Sequence, residues 1–567
     1  MKKIYLLTAL LPFATGIHAQ STVPNGPANG STSITLKSET GKAADFTKGY
    51  FMVNEEWFGH TNGSLNFIGD DEQIYYRVYS EKNNNHAFGA TTSHGTIYGD
   101  KFYFISKQAA DGGDTQYIPG GRLVVANAVT MEKIASFNTI GGGDGRSFLG
   151  VNEHTGYIGS SNGIYLFDID NLQVGSLIAG TGGGSQYAGQ IGNMIRTSRY
   201  VFAVKQTAGI LIIDPKTNTL VSTISGSYNS IVQAKDGSVW AIQDQKLVNI
   251  HPTTFAKTEY PIPGTKYITD WGSWRAGSFT YSSQQNVLYW INSLNAFNPG
   301  TKIVRFDVTA KTFDENFITL PGQDGTFRQI PYGAALRVDP VSDRLILNTT
   351  ESGFGAHYQK NWIHTYDNTG ALLSTKTLAD YYWFPAVTVF PDNAAPLVSE
   401  AFPTEITLNG ITKIDLKTVV SDADNLSSSI IKSIKSNSNF SAISTEINAD
   451  DELILTPQNA GTSTVVISFN SNGKLVEKSI TVISSSLAVS AEVKKMELSI
   501  YPNPTTDILN IKTQEKLVGI SIFDSAGKQI NIKRDDSHIN VSQLIKGTYI
   551  LKVVTDKAVY QEKFIKK

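Results

Sequence analysis

A short pattern recurs along most of this chain and restricts its fold more than any other feature. Each copy has the pattern aliphatic-X-aliphatic-Asp. A turn that contains Lys/Asn-Thr follows, and then a polar strand. The clear copies are Tyr165–Asp168, Leu211–Asp214 and Ile303–Asp307, and the weaker ones are Leu123–Val125, Leu247–His251 and Ile363–Asp367. They lie roughly 40 to 60 residues apart, the length of a four-stranded propeller blade. Since the pattern inside each unit has a period of two, it predicts strands and an all-β chain.

The predicted ring needs one more blade than these six copies supply. Tyr50–Val53 and Ser64–Ile68, near the start of the repeats, are expected to pair with the late strand Ala386–Phe390. Joining both ends of the repeat region in one blade closes the ring and hides two edge strands. A seven-bladed β-propeller is therefore predicted, with six or eight blades as alternatives.

The overall composition agrees with this fold and excludes several functions. Only 17% of the residues are charged and 49 are glycine, which suits short strands joined by tight turns. The formal net charge of −2 provides no basic field, so nucleic acid is excluded as a partner. The chain has no cysteine, which excludes disulfides, thiolate metal sites, a cysteine nucleophile and a lipidated cysteine anchor.

The N-terminus has the pattern of a secretion signal. Lys2 and Lys3 precede the apolar run Ile4–Ala14, and Ala19 offers a small-residue cleavage site. A membrane anchor or a buried strand is the alternative interpretation of this run. No later stretch reaches the roughly 18 apolar residues that a spanning helix needs. We therefore expect a signal peptide at 1–19, a flexible polar lead-in at 20–44, and an exported protein that does not span a membrane.

Two small β-sandwich domains are predicted after the propeller, which covers residues 45–394. A proline-bounded boundary at Ala394–Pro396 precedes the first sandwich, at 397–486. Its alternating segments are Ile411–Leu416, Glu452–Leu455, Thr464–Phe469 and Val476–Val482, and it resembles the cadherin/immunoglobulin-like spacers of surface proteins. Asp422–Asn425 could contribute to a calcium site, but a turn with capping carboxylates is the favoured interpretation.

The last block, residues 495–567, resembles the C-terminal sorting domain of the type IX secretion system. The resemblance is carried by Leu498–Pro504, the Asp524–Gly527 turn, the strand Gly547–Val553 and the basic end Lys563–Lys567. It implies that the type IX machinery is a partner, and that the protein crosses the outer membrane. It also implies removal of this domain, followed by release or by attachment to a surface polysaccharide.

Candidate binding residues lie just before the innermost strand of each predicted blade, because propeller ligands usually sit where such loops converge. The predicted ligand-binding residues are His86, Phe88, Arg146, Tyr187, Tyr228, Trp271, Trp274, Arg275, Phe327, Arg328, Tyr332, Tyr382 and Trp383, with Asp144, Gln186, Asn229, Tyr381 and Phe384 beside them. Aromatic rings and arginine suit a large, flat, partly polar ligand. The alternative is that these rings pack blades together or plug the channel.

No pattern in the sequence predicts catalysis, a metal site or a cofactor. Gly141–Gly145 and Gly182–Gly184 lack the Lys-Ser/Thr ending of a phosphate loop. The nine histidines show no metal-ligand spacing, and no Ser/His/Asp order stands out. Glu55 and Glu56 are expected to face opposite ways on a strand.

The segments Val53–Gly59 and Gly63–Leu65, with the repeated aspartate motif, resemble a family of secreted surface propellers. That family, formerly a domain of unknown function, includes outer-surface proteins that capture corrinoids (vitamin B12) and pass them to a TonB-dependent transporter. The resemblance covers about 340 residues and implies a corrinoid ligand over the mouth of the propeller. The corrinoid-capturing members are lipoproteins, whereas this chain lacks cysteine and ends in a sorting domain, which puts docking on an outer-membrane transporter in doubt.

Three functional hypotheses follow. The first is a secreted or cell-surface propeller that binds a small rigid ligand, such as a corrinoid, at the mouth of the central channel. The second is a surface adhesin or structural protein that binds glycan or protein. The third, a propeller hydrolase or lyase, requires His86, His94 and an acidic residue within metal-ligand distance of each other.

Overall fold

The computed structural model describes residues 43–183, 189–206, 208–243, 245–263, 277–295, 298–485, 498–513, 515–524, 528–530, 534–535, 537–556 and 558–567. The predicted signal peptide and most of the lead-in lie outside these residues. The chain divides into two compact units at Ser486/Leu487, and each is described by itself. No helix in the described part is long and apolar enough to cross a membrane.

The first unit begins with three strands and a short helix. These are β1 (Gly49–Asn54), β2 (Ser64–Gly69), β3 (Ile74–Tyr75) and α1 (Val78–Lys82). Five four-stranded antiparallel sheets follow, each built from strands consecutive in the chain. Their strands are β4–β7 (Ala90–Tyr98, Lys101–Gln108, Leu123–Asn127, Lys133–Phe137), β8–β11 (Gly145–Gly150, Thr155–Ser160, Gly163–Asp168, Gln173–Leu177), β12–β15 (Ile191–Arg196, Val201–Lys205, Gly209–Asp214, Thr219–Ser225), β16–β19 (Ser230–Gln233, Val239–Gln243, Lys246–Ile250, Lys257–Pro261) and β20–β23 (Thr280–Tyr281, Val287–Asn295, Asn298–Asp307, Thr312–Thr319).

An eight-stranded sheet joins the beginning of this region to its end. The remaining strands are β24 (Gln329–Val338), β25 (Leu345–Glu351), β26 (Asn361–Tyr366), β27 (Leu372–Thr377) and β28 (Pro385–Val389), with a 3₁₀ helix at Gly355–Gln359. The strand order is β27-β26-β25-β24-β28-β1-β2-β3. The predicted pairing of the late strand with the first one is present, since β28 runs antiparallel to β1 with Val389 opposite Phe51. Strands β24 and β28 meet in a single parallel pair, Ala334 with Val387.

The first strands of successive sheets touch one another around a closed path. Strand β28 contacts β4, β4 contacts β8, β8 contacts β12, and the series continues through β16, β20 and β24 back to β28. Side chains fasten this path, because Ser147 Oγ donates to Gly192 O at 2.8 Å and His94 Nε2 donates to Phe148 O at 3.1 Å. The all-β region is therefore a propeller-like ring of sheets around a central channel.

The repeated aspartate has a local structural reason. In each clear copy its Oδ1 accepts backbone N–H groups in the turn between the third and fourth strands, as Asp307 does from Thr309 and Ala310 at 2.9 and 2.8 Å. The same turn contains a residue in the left-handed region, such as Lys311 at φ 60°. Hydrogen bonds from Asn171 lower the pKa of the equivalent Asp168 carboxyl. The motif is therefore a turn that short polar side chains stabilise.

Apolar side chains from neighbouring sheets form the cores of the ring. Tyr103 of β5 stacks on Phe148 of β8 with centroids 4.0 Å apart, and both belong to a core shared with Ile158 and Phe167. Strands β2 and β16 are covered on both faces, so every residue of these two strands is buried. The fourth strands, such as β7 and β11, lie at the sheet edges and are mostly exposed or half-buried.

Residues 397–485 form a module in the same compact unit as the ring. Its strands are β29 (Leu397–Val398), β30 (Glu405–Leu408), β31 (Thr412–Asp415), β32 (Val420–Ser421), β33 (Ile431–Asn437), β34 (Ile443–Ile447), β35 (Glu452–Pro457), β36 (Gly461–Ser471) and β37 (Lys474–Ser484), with a 3₁₀ helix at Ser427–Ser429. One sheet is β30-β37-β36-β33, another is β31-β35-β34, and β29 pairs with β32. Residues of both larger sheets, including Leu455 and Ile467, share one apolar core.

The second unit contains the C-terminal strands. They are β38 (Ser499–Tyr501), β39 (Ile508–Lys512), β40 (Leu517–Phe523), β41 (Gln529–Ile530), β42 (Arg534–Asp535), β43 (His538–Asn540), β44 (Gly547–Thr555) and β45 (Val559–Lys566). They form the sheets β38-β39-β43-β42 and β41-β40-β44-β45. Leu509, Ile539, Leu551 and Phe564 of the two sheets pack in one core.

Candidate ligand-binding site

The mouth is the end of the ring at which the first strands β4, β8, β12, β16, β20, β24 and β28 begin. The segments before these strands reach the mouth, and so do the loops at 55–63 and 352–360, which follow β1 and β25. Tyr187, Gln186, Trp271, Trp274 and Arg275 lie outside the described residues. Their contribution to the mouth therefore stays a prediction.

Three of the predicted binding residues are buried in the cores of the ring. Phe88 and Trp383 are fully buried, and Tyr228 lies in the core between two sheets. Phe88 stacks on Phe104 at 4.1 Å, and Trp383 stacks on Tyr76 at 5.1 Å. The sequence pattern did not distinguish these rings from accessible ones, because burial depends on the neighbouring sheet.

The polar members of the predicted set fasten the mouth. The buried guanidinium of Arg146 donates to Gln190 Oε1 from both Nε and Nη2, at 2.9 and 2.7 Å, and thereby ties β8 to the segment before β12. Asp144 Oδ2 lies 3.5 Å from Nη2 of the same guanidinium. His86 Nδ1 donates to Asn83 O at 2.7 Å, and the Arg328 backbone N–H donates to Ser352 Oγ at 2.7 Å.

Tyr332, Tyr382 and Phe384, which the sequence analysis placed at the mouth, come together with two rings that it did not place there. We call Trp57, Tyr332, Tyr358, Tyr382 and Phe384 the aromatic cluster. Trp57 stacks on Tyr382 at 4.3 Å, and Phe384 lies 5.1 Å from Tyr332 and 5.5 Å from Tyr358, all between ring centroids. The cluster joins the β1 end of the ring to the β24–β27 sheet.

Accessible rings border this cluster. Phe354 is 70% exposed and lies edge-on to Tyr358 at 6.3 Å, and Phe327, a predicted binding residue, is 46% exposed. Phe327 stacks on His357 with centroids 3.7 Å apart, and His60 stacks on Trp57 at 3.6 Å. A ligand at the mouth would therefore meet apolar and imidazole surfaces together.

The loop that carries Trp57 and His60 is held by carboxylates from another sheet. Asp111 Oδ2 accepts the Gly59 N–H at 2.6 Å, and Asp114 Oδ2 accepts both the backbone N–H and the side-chain amide of Asn62, at 2.9 and 2.6 Å. Gly113 approaches this loop so closely that a Cβ there would lie 1.9 Å from Gly59 O. These contacts therefore fix the loop against the neighbouring sheet.

Two adjacent glutamates make different contacts near the cluster. Glu55 Oε2 accepts a hydrogen bond from Tyr332 Oη at 2.7 Å, whereas Glu56 Oε2 forms a buried ion pair with Arg77 Nη2 at 2.8 Å. Glu56 has φ 62°, a left-handed backbone that turns the chain between the two. Burial raises the pKa of Glu56, and the charge of Arg77 offsets part of that effect. The guanidinium of Arg77 lies about 5 Å from the ring centres of Tyr381 and Trp383.

A family model described as "Domain of unknown function (DUF5074)" matches residues 48–391, more than half of the chain. The chain belongs to the DUF5074 family. The glutamates, Trp57 and Gly59 lie in the segment Val53–Gly59, so the motif on which the resemblance was based also builds the aromatic cluster in this DUF5074 protein. No curated protein matches the chain.

Solved structures match part of this chain at low identity. A quinonprotein alcohol dehydrogenase-like protein from Bacteroides thetaiotaomicron VPI-5482 is 16% identical with a TM-score of 0.46, covering 62% of this chain and 79% of that one. The WD40 domain of Neurospora crassa Pan2 is 13% identical with a TM-score of 0.35, covering 49% and 76%. The β-propeller domain of Myceliophteria thermophila Cps50 (Swd1) is 9% identical with a TM-score of 0.36, covering 54% and 90%.

A second family model, described as "Secretion system C-terminal sorting domain", matches residues 499–567 of this DUF5074 protein. This confirms the predicted sorting domain of the type IX secretion system. It implies secretion across the outer membrane, to the cell surface or the extracellular space.

At the end of the ring opposite the mouth, the 397–485 module of the DUF5074 chain covers the channel. Asn472 O accepts the Gly99 N–H at 2.8 Å, and Asn472 Nδ2 donates to Ile97 O and to Asp392 Oδ2 at 3.0 and 2.7 Å. Lys474 Nζ pairs with Asp392 Oδ1 at 2.8 Å, and Ser429 Oγ donates to Gln233 Oε1 at 2.6 Å. A cavity of about 340 Å³ remains between the first strands and the module.

The Asp422–Asn425 segment forms the turn that was favoured over a calcium site. Asp422 Oδ1 accepts the N–H groups of Asp424 and Asn425, both at 2.9 Å. Asp424 Oδ2 in turn accepts Asn393 N–H and Ala394 N–H, at 2.7 and 2.8 Å, which fixes the linker to the module. In the part of the chain that the structure describes, no group of three or more His, Cys, Asp or Glu side chains could hold a metal ion.

Trp57, Phe354, His357 and Tyr358 lie at the mouth but outside the segments predicted to form it. The predicted segments precede the first strands, whereas the loop between the second and third strands of a sheet reaches the same end of the ring. Phe354–Tyr358 lies in such a loop, between β25 and β26. Each aspartate turn marks the third and fourth strands of its sheet, so the segment just before the third strand is the loop that reaches the mouth.

Proposed function

We propose that this protein is a secreted or cell-surface binding protein, and that its ligand lies over the aromatic cluster at the mouth, in contact with Phe327, Phe354 and His357. One observation carries the proposal: two exposed phenylalanines, 46% and 70% accessible, border a buried stack of aromatic rings. Exposed apolar groups beside an ordered support are typical of binding surfaces rather than of solvated loops.

The energetics support a ligand of moderate size with a flat apolar face. Covering one such ring removes on the order of 100 Å² of apolar surface from water, which contributes about 2 to 3 kcal/mol. Because Asp111 and Asp114 already hold the neighbouring loop, little further ordering is required on binding. Corrinoids are the first class to test, since the family resemblance implies them and they are flat and partly polar.

The architecture that we propose is a seven-bladed ring followed by a spacer module and the sorting domain. Five four-stranded sheets, together with an eight-stranded sheet divided at the single β24–β28 pair, support a count of seven. Two sheets over a common core support an immunoglobulin- or cadherin-like sandwich at 397–486, and the same arrangement supports a second sandwich in the sorting domain. The domain boundaries at 45–394 and 495–567 belong to this proposal.

A titration tests the binding role directly. Cyanocobalamin or cobinamide is added to the full secreted protein, and absorbance changes are followed at micromolar protein. We expect saturable binding that weakens at least tenfold in the double variant Phe327→Ala/Phe354→Ala. Phe440→Ala is the matched control, because Phe440 is 62% exposed but lies in the module. Absence of binding at these concentrations rules out the corrinoid form of the proposal.

An adhesin that binds glycan is the second candidate, because exposed aromatic rings also stack on sugar faces. The 397–485 module favours it, since a spacer extends a binding domain from the surface to which the protein is attached. A glycan-array signal that is lost in the same double variant, without corrinoid binding, selects this function. Docking on an outer-membrane transporter is tested by co-purification and is not required by either candidate.

A further inference from the structure

His357 forms the hydrogen bond to a carboxylate that is typical of metal-binding histidines. Its Nδ1 lies 2.5 Å from Glu351 Oε2. Since a carboxylate can only accept a hydrogen bond, Nδ1 carries a proton, and in the neutral imidazole Nε2 keeps its lone pair. Metal-bound histidines usually donate their other ring N–H to a carboxylate in this way.

The imidazole is also fixed by its neighbours. Phe327 stacks on it at 3.7 Å and 29°. A Cβ at Gly353, which has φ 119°, would lie 2.9 Å from His357 Cδ2 and 3.2 Å from Phe327 Cδ1. Only glycine allows the backbone to approach both rings, so the local sequence positions the imidazole closely. The side chain nevertheless remains 33% exposed at the mouth.

A single fixed imidazole cannot hold a free metal ion. No cluster of three ligating side chains exists in the described ranges, and the carboxylate bonded to the His357 imidazole is that of Glu351. One nitrogen is sufficient when the metal already has its other positions filled by a planar macrocycle. The exposed rings of Phe327 and Phe354 supply the apolar contact that such a macrocycle requires.

We propose that His357 Nε2 is an axial ligand for the metal of a flat tetrapyrrole bound at the mouth, and that Glu351 is its positioning residue. In this step the Nε2–metal bond forms and a metal–water bond breaks, with no change of oxidation state. The inference rests on the proposed function, because it concerns the same surface. Cobalt corrinoids and iron porphyrins share this chemistry, and the test separates them.

The test compares ligands that offer an open metal position with matched ligands that offer none. Diaquocobinamide is titrated beside dicyanocobinamide, whose axial positions are blocked, and haemin beside metal-free protoporphyrin IX. We expect one open-metal ligand to bind at least tenfold tighter than its partner, with the visible spectrum of nitrogen ligation. His357→Ala should abolish both the spectrum and the difference, and Glu351→Ala should weaken binding by about 10- to 100-fold.

His154→Ala is the matched control variant. His154 Nδ1 also contacts a carboxylate, at 2.6 Å from Asp170 Oδ2. Its side chain is 69% exposed and lies between β8 and β9, away from the mouth. It should leave binding and spectrum unchanged.

The outcomes separate the two proposals. If blocked and open ligands bind the wild type equally, and His357→Ala changes neither, binding at the mouth stands and axial ligation is wrong. If the nitrogen-ligated spectrum persists in His357→Ala, axial ligation is also wrong. If none of the four ligands binds the wild type, both axial ligation and the tetrapyrrole form of the proposed function are overturned.

Discussion

At the mouth of the ring, aromatic side chains stack on one another and two phenylalanines remain exposed, whereas at the opposite end backbone groups and carboxylates bind a module of the same chain. Asn472, Lys474 and Asp392 make directional contacts at the covered end. Phe327 and Phe354 present accessible apolar surface at the mouth. The difference shows that the protein itself covers one end of the ring and leaves these rings accessible at the other, where the proposed function assigns a ligand.

The largest expected effect comes from the support beneath the mouth. Arg77→Met leaves the buried Glu56 without its partner, so we expect a loss of about 3 to 5 kcal/mol in the free energy of unfolding, measured with urea. Glu56→Gln with Arg77→Met should recover part of this loss, because no unpaired charge is then buried. A loss below about 1 kcal/mol in the single variant would show that the pair does not brace the mouth.

At the covered end, His94 should make stability depend on acid. Burial lowers the pKa of His94 to about 4, from 6.5, and the charge of Arg337 contributes. The unfolded chain therefore binds more protons between these values, and this contribution to stability is lost as the pH falls from about 6.5 to about 4. Relative to His94→Gln, the wild type should lose on the order of 3 kcal/mol over this interval. Parallel pH profiles of the two proteins would contradict the assignment.

The polar contacts of the module can be weakened selectively. Asn472→Gly removes the side-chain bonds to Ile97 O and Asp392 Oδ2 and still accommodates the left-handed backbone, φ 45°, at this position. We expect a local cost of about 1 to 3 kcal/mol. Hydrogen exchange should accelerate at residues 97–99 and 470–473 and stay unchanged at 352–360. Acceleration at the mouth as well would show that the two ends are coupled.

The smallest effect is expected for an exposed ring at the mouth. Phe354→Ala should change the free energy of unfolding by no more than about 0.5 kcal/mol, because the side chain is 70% exposed. Urea unfolding under the conditions used for Arg77→Met provides the comparison. A loss above about 1 kcal/mol would assign Phe354 to folding rather than to binding.

The strand pattern was readable because it depends on local chemistry. Aspartates such as Asp168 and Asp307 satisfy backbone N–H groups a few residues away, so each marks its turn in the sequence. The pairing of β1 with β28 was also predictable, since the repeats leave an incomplete blade at each end and antiparallel pairing removes both edges.

The sequence by itself determined the all-β repeats, the closure of the ring by its two ends and the sorting domain. Only the tertiary structure decided which rings reach solvent. Phe88 and Phe327 both precede a first strand, yet Phe88 is fully buried and Phe327 is 46% exposed. The reason is physical: a turn is satisfied by neighbours in sequence, whereas the exposure of a side chain depends on what another sheet or loop places against it. The fixed imidazole of His357 emerged for the same reason, from contacts with Glu351 and Phe327 that no local pattern records.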